Sequence, residues 1–132
     1  MAAKIPEAFK DVLNKRGFAH LATPMKDGSP QVTPVWYDYD GTHSRINSAK
    51  GRLKDKNMRR DKRVAVSIQD PDNPYRNIAI RGEVDEITED GADAHIDALA
   101  KKYLDKDRYP FRAPGEVRVM YKIRPDKIST QG

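Results

Sequence analysis

Apolar positions along the chain follow two periods, and the switches between them mark the elements. Ile5, Phe9, Val12 and Leu13 recur at helical spacing, which predicts a short amphipathic helix over 5–14, ended by Gly17. From Gly17 the period drops to two. GFAHLAT places Phe18, His20 and Ala22 on one face and Ala19 and Leu21 on the other, as a strand does. MKDGSP is turn chemistry, with Asp27-Gly28 the hairpin signal. QVTPVWYDYD then reads as one strand, with Thr33, Val35, Tyr37 and Tyr39 on one face and Val32, Pro34 and Trp36 on the other. Pro34 has no N–H for a ladder, so this strand belongs at an edge or a bulge. Asp40-Gly41 is a second tight turn, and THSRINSA is the next strand.

Residues 52–60 predict a short helix with Leu53 and Met58 inward, and RVAVSI a buried strand. QDPDNPY reads as a loop. RNIAIRGEVDEIT is a long strand with Ile78, Ile80 and Val84 on one face and a bulge at Gly82. Thr88 is placed to cap a helix with acidic Glu89 and Asp90 in its first turn, running to about Tyr103 and burying Ala92, Ile96 and Leu99. GEVRVMYKIRP closes the chain as a strand alternating Val117, Val119, Tyr121 and Ile123. Hairpin turns dominate. The expected fold is mainly β (α+β), a six-stranded antiparallel barrel of Greek-key type with flanking helices.

Composition narrows this little. The 132 residues suit one domain over 1–132, and 37% hydrophobic with 34% charged residues describes a globular chain with a wet surface. With no cysteine, disulfides and thiolate metal sites are excluded. His20, His43 and His95 lack metal-ligand spacing, so no metal is expected. Neither a signal peptide nor a membrane-spanning run is evident, so the expected location is the cytoplasm, with no membrane partner.

Charge changes the picture more. Residues 45–63 hold nine Lys or Arg against two Asp, a local +7 against a total of +5, so the rest of the chain carries −2. Within that segment Asn47-Ser48-Ala49-Lys50-Gly51 leaves a strand and enters a helix, whose first N–H groups and dipole favour an anion. Arg52 and Lys54 in the first turn, and Asn57 one turn on, suit a phosphate, with Arg52 as a two-pronged donor and Lys54 as a point charge. An ordinary solvated helix would carry the same charges, but cations in a first turn oppose the dipole unless an anion is bound. A nucleic-acid partner is disfavoured, because no recognised motif is present and no aromatic residue is interleaved with the basic run.

These residues also carry a resemblance. NSAKGRLKDKNMRRDKRVAVSIQDPDNPYRNIAIRGEVDEIT, with K-x-x-N-x-x-R-D followed by D-P-x-N-P-Y-R, is similar to the central segment of the flavin/deazaflavin oxidoreductase superfamily. More narrowly it resembles the branch that uses coenzyme F420, whose split-barrel fold is shared with pyridoxamine phosphate oxidase. FAHLATPMKDGSPQVTPVWYDYD resembles that family's opening hairpin and VRVMYKIRPDKIS its last strand. The resemblance implies a homodimer with two cofactor sites between subunits. It implies that Asn47, Ser48, Arg52, Lys54 and Asn57 hold the cofactor phosphate. Thr33, Pro34 and Trp36 would lie beside the ring, and Tyr75 and Asn77 would come from the other subunit. The chain lacks the extra C-terminal segment of true pyridoxamine phosphate oxidases, which counts against that substrate.

The activity implied is hydride transfer from reduced F420 to a small electron-poor organic acceptor. FMN is the alternative cofactor, and a non-catalytic flavin- or F420-binding protein the alternative role. The surrounding Lys50, Lys56, Arg59 and Arg60 would attract the glutamate tail of a deazaflavin. No protein nucleophile is evident, and Tyr37, Tyr75 and His43 are proton-donor candidates by type only. Trp36 suits a core or interface aromatic as well as a ring-stacking one, and Tyr75-Arg76 an ordinary turn as well as a site cover. Arg81 is expected to pair with Glu83 or Asp85, and His95 to lie at the surface or an interface.

Overall fold

The structure, a computed structural model, describes residues 2–132. Its strands are β1 (Ala19–Pro24), β2 (Pro30–Val35), β3 (Tyr37–Tyr39), β4 (Ser44–Ala49), β5 (Arg63–Asp70), β6 (Asn73–Thr88) and β7 (Arg118–Gln131). Helix α1 spans Leu53–Arg60 and α2 Ala92–Leu104. All seven strands join one sheet in the order β2-β1-β5-β6-β7-β4-β3, and every pair is antiparallel. The two edge strands, β2 and β3, are neighbours in sequence with only Trp36 between them. The sheet therefore curls until its edges approach at Trp36, and the result is a split barrel.

That break explains a count. The stretch 31–40, expected as one strand, is cut at Trp36 into two strands on opposite edges, giving seven strands rather than six. Pro34 lies on edge strand β2, opposite His20, where its missing N–H costs no ladder bond. Gly82 sits at a register shift between β6 and β7, and a Cβ there would lie 1.8 Å from the Arg124 carbonyl oxygen. Only glycine permits that approach. Leu21, Tyr37, Ile46, Ile68, Ile80 and Tyr121 are among the buried side chains of the barrel interior.

Four boundaries differ from expectation. The N-terminal stretch forms two single 3-10 turns, Glu7–Phe9 and Val12–Asn14, not a continuous helix. The Ala8 carbonyl that would bond forward along a helix accepts from the Arg76 guanidinium instead. Ile5, Phe9, Val12 and Leu13 are still buried. The expected loop 69–75 shrinks to Pro71-Asp72, because β5 runs to Asp70 and pairs there with Asn73. Helix α2 starts at Ala92, after a left-handed Gly91 with φ 74°, while Thr88 ends β6 and its hydroxyl accepts the Asp90 N–H. The closing strand begins three residues later than expected and runs on to Gln131.

Ala92, Ile96, Leu99 and Tyr103 form one stripe of α2, and all four are buried. Ile96, Leu99 and Tyr103 pack with Trp36 and Tyr109 as a second cluster, separate from the barrel interior. The Tyr103 hydroxyl ties α2 down by donating to the Gly17 carbonyl at 2.6 Å. Among the described residues no helix is long and apolar enough to cross a membrane.

Candidate functional site

Strand β4 delivers the chain to α1 through Gly51, whose φ of 92° suits glycine. Arg52 is the residue preceding the helix, with extended backbone, so it stands at the N-cap rather than in the first turn. The helix start is held from below by Asp55. That carboxylate accepts the Gly51 N–H at 2.9 Å, Arg59 Nε at 3.0 Å and the Tyr121 hydroxyl. Burial pushes the Asp55 carboxyl up, but these donors outweigh it and the pKa lies below the ordinary value. The inward face of α1 is therefore Asp55, Asn57 and Met58. Leu53, expected inward, is 46% exposed, because the helix is anchored by hydrogen bonds rather than by an apolar stripe.

Above this anchor lies a cleft of about 190 Å3. Its cationic part has Lys54 from α1, Arg52 just before it and Arg118 from the start of β7, and its aromatic and apolar part has Pro34, Trp36, Tyr109 and Phe111. The two meet where Arg118 lies against the Tyr109 ring. Trp36 stacks on Tyr103 with centroids 5.2 Å apart and planes 5° from parallel, and meets Tyr109 edge-on at 6.0 Å.

The charges at the cationic end do not balance. Arg118 is buried; its Nε donates to Asn47 Oδ1 at 2.9 Å and its Nη1 to Glu116 at 2.7 Å, and it lies 5.1 Å from the Tyr109 ring centroid. Arg52 reaches the same Glu116 only at 3.9 Å. Lys54 makes no ion pair among the described residues, and its pKa is lowered by burial first, then by Arg52 and Arg118. Two of the three cations thus share one carboxylate, and the third has none among the described residues. Such a surplus is stabilised by an anionic ligand, and a phosphate suits the Arg52 fork, the Lys54 ammonium and the remaining Arg118 N–H groups.

Of the residues singled out in the sequence, Pro34, Trp36, Asn47, Arg52 and Lys54 meet in this cleft. Thr33 and Ser48 alternate with Pro34 and Asn47 along their strands, so their side chains take the opposite faces; both hydroxyls are buried without a partner. Asn57 is fully buried, donating to Thr23 Oγ1 at 3.1 Å and accepting from Arg60 at 2.7 Å, so its amide clamps α1 to β1. Tyr75 is 78% exposed at the start of β6, and Asn77 donates to Gln131. Neither lines the cleft.

Other expectations change. Arg81 does not pair with Glu83 or Asp85, which both bind Arg124 at 2.9 Å; the β7 residue opposite Arg81 is Lys127. His95 is 5% exposed, not superficial. Tyr37 is buried and donates to the Val12 carbonyl, with its pKa raised by burial, and His43 pairs with Asp85 at 2.7 Å. None of the three proton-donor candidates lines the cleft.

A family model described as pyridoxamine 5'-phosphate oxidase matches residues 5–132. The chain belongs to this family. A solved structure of an F420 reductase is 35% identical, with a TM-score of 0.83 over 95% of this chain and 98% of that one. A conserved hypothetical protein of Mycobacterium tuberculosis shares the fold at 23% identity, with a TM-score of 0.78 over 98% of this chain and 86% of that one. No curated protein matches. Membership makes this chain part of a flavin-type oxidoreductase family.

This family member also carries site residues that sequence reasoning missed: Arg118, Glu116, Tyr109 and Phe111. Glu116 and Arg118 fall between the apolar positions of the expected closing strand, on its polar side, with no role assigned to them. The usable signal was α2, whose apolar stripe had to cover some sheet face and thereby bury part of that polar side. A larger groove of about 670 Å3 crosses the outer sheet face between Ala22, Ala65, Arg81 and Lys127. Arg81 and Lys127 there also make no ion pair among the described residues, but the groove has no aromatic side chain, so the smaller cleft, with Trp36, Tyr109 and Phe111 beside its cations, is the candidate site.

Proposed function

We propose that this chain is an F420H2-dependent reductase that passes a hydride to a small electron-poor organic acceptor. The observation that carries the reading is the cleft itself, where Arg52 and Arg118 share Glu116, Lys54 has no carboxylate partner among the described residues, and Trp36 centres an aromatic wall. The F420 reductase at 35% identity over nearly the whole chain supports the same choice of cofactor. The residues fit such a group: a surplus of positive charge for the phosphate, and flat apolar side chains for the ring.

When bound, a reduced deazaflavin supplies the hydride, and the protein supplies position and exclusion of water. Arg52, Lys54 and Arg118 would hold the phosphate, and Pro34, Trp36, Tyr109 and Phe111 would pack against the ring and exclude water. A cleft of about 190 Å3 is small for a whole flavin-sized ligand. A second copy of the chain completes the walls, and Tyr75, with Asn77 near it, is the exposed group it brings. Lys50, Lys56 and Arg59 extend the positive surface toward the glutamate tail.

Trp36 is the only tryptophan, so its fluorescence reports on this cleft alone. Titration with the deazaflavin and with FMN, side by side, is the test. Quenching at lower deazaflavin concentration, weakened by Lys54→Ala, supports the reading. A preference for FMN moves the protein to an FMN-dependent oxidoreductase, and binding of neither removes the cofactor role.

A further inference from the structure

Behind the cationic end of the cleft, one amide is fixed by groups that each have a single hydrogen-bonding role. Asn47 Nδ2 lies 2.9 Å from the Ala92 carbonyl, which only accepts, and Asn47 Oδ1 lies 2.9 Å from Arg118 Nε, which only donates. The amide orientation is thereby set. Its second N–H points at His95 Nδ1, 3.1 Å away. That nitrogen must accept, so the ring proton is on Nε2, which faces the Asp38 carboxylate at 3.2 Å. Asp38 is itself held by Arg45 through two 2.8 Å bonds.

We propose that His95 is a positioning residue for the anion site: its Nδ1 acceptor locks the Asn47 amide, and that amide holds the Arg118 guanidinium with Nη2 turned to the cleft. Asn47 and Glu116 occupy Nε and Nη1, and Nη2 has no protein partner among the described residues. Were the imidazole to carry a proton on Nδ1, the Asn47 amide would meet a donor on that side. Satisfying it requires the amide to turn over, which takes Oδ1 away from Arg118. The inference rests on the cofactor reading only for what Arg118 binds, not for how it is held.

The test separates the two ring nitrogens. Asparagine at 95 keeps an acceptor near the Nδ1 position, whereas glutamine places its polar group near Nε2. In 15N-labelled ligand-free protein, His95→Asn is expected to retain the slowly exchanging Arg118 Nε–H resonance, and His95→Gln to lose it. Affinity for the deazaflavin should fall roughly five- to tenfold in His95→Gln and stay within about threefold in His95→Asn. Retention of the resonance in both folded variants, or its loss in His95→Asn, overturns the proposal. If either variant does not fold, the wild-type imidazole decides. Two-bond 15N–1H spectra should show His95 Nδ1 unprotonated, and a proton there overturns the proposal. Should the wild type bind no cofactor while the Arg118 resonance behaves as expected, the cofactor reading fails and the positioning role stands.

Discussion

Two clusters of cations sit at opposite ends of this barrel's chemistry. At the N-terminal turns, Lys15 and Arg76 face Asp11, Asp70 and Asp72, with contacts from 2.7 to 3.7 Å. In the cleft, Arg52 and Arg118 face Glu116 alone, and Lys54 has no carboxylate partner among the described residues. In the first cluster every charged side chain has an opposite partner, with one carboxylate in excess. Arg76 holds Asp11 down at about 2 through hydrogen bonding. Asp70 is held at about 2 by the Asp72 N–H first, then by Lys15 and Arg76. The second cluster disfavours its own lysine. Balance marks a staple that fastens the 3-10 turns to the β5–β6 hairpin. Surplus marks a place where an anion is missing from the account.

The sharpest way to break that contrast is to remove the surplus. Arg52→Ala with Lys54→Ala should weaken deazaflavin binding about a hundredfold, each charge-assisted bond being worth about tenfold. The melting temperature of the ligand-free protein should not fall, because neither side chain has a close carboxylate partner. Unchanged affinity by Trp36 fluorescence would leave the cleft cations without a ligand.

Arg76→Ala is the mirror experiment. It removes the partner of Asp11 and Asp70 and the cation 4.8 Å from the Phe9 ring centroid. The melting temperature should fall by about 5 °C or more, with deazaflavin affinity unchanged. A variant that melts like the wild type would make the N-terminal cluster ornamental.

The two clusters were not equally legible in the sequence. Local features read well: Pro34 at an edge, Gly82 at a bulge and Asp27-Gly28 at a hairpin each depend on a few neighbouring atoms. The basic run 45–63 was visible as composition, but not which charges stay unpaired. Arg45, Arg59 and Arg63 find Asp38, Asp55 and Asp61, while Lys54 finds none among the described residues. Arg118 joins Asn47 across 71 positions, and no spacing rule spans that separation. Thr33 and Ser48 do not line the cleft, and alternation alone does not decide it, because Pro34, Val35 and Trp36 all line it where the chain passes from one sheet edge to the other. Trp36 was read as part of a continuous strand because periodicity does not register a chain crossing between sheet edges.

Acid sharpens the comparison at the staple. Asp11 and Asp70 have folded-state pKa values of about 2 against an ordinary 3.8. A depressed carboxylate stabilises the fold fully above the unfolded value and loses that contribution as pH falls through the folded one. The denaturation midpoint should therefore drop between about pH 4 and pH 2. Arg76→Ala should flatten that drop, since Arg76 is a cause of both shifts. An equal slope in wild type and variant would place the acid-sensitive groups elsewhere.

The smallest effect tests the cleft from the opposite side. Lys54 has a lowered pKa in the folded chain, so its charged form is penalised by folding. The sign is fixed by linkage: the unfolded chain binds the proton more tightly, and stability rises with pH as this group titrates. Lys102 acts in the same direction, lowered to about 8 by burial, so the wild-type slope alone cannot be assigned. Lys54→Met isolates it. The ligand-free variant should melt about 1–3 °C higher at neutral pH, and should show a smaller alkaline gain than the wild type. Its deazaflavin affinity should fall about tenfold at the same time. A side chain that costs stability when the cleft is empty and contributes affinity when it is filled is one retained for its ligand. If Lys54→Met instead destabilised the ligand-free protein, the three cations would be structural, and the distinction between surplus and balance would fail where it matters most.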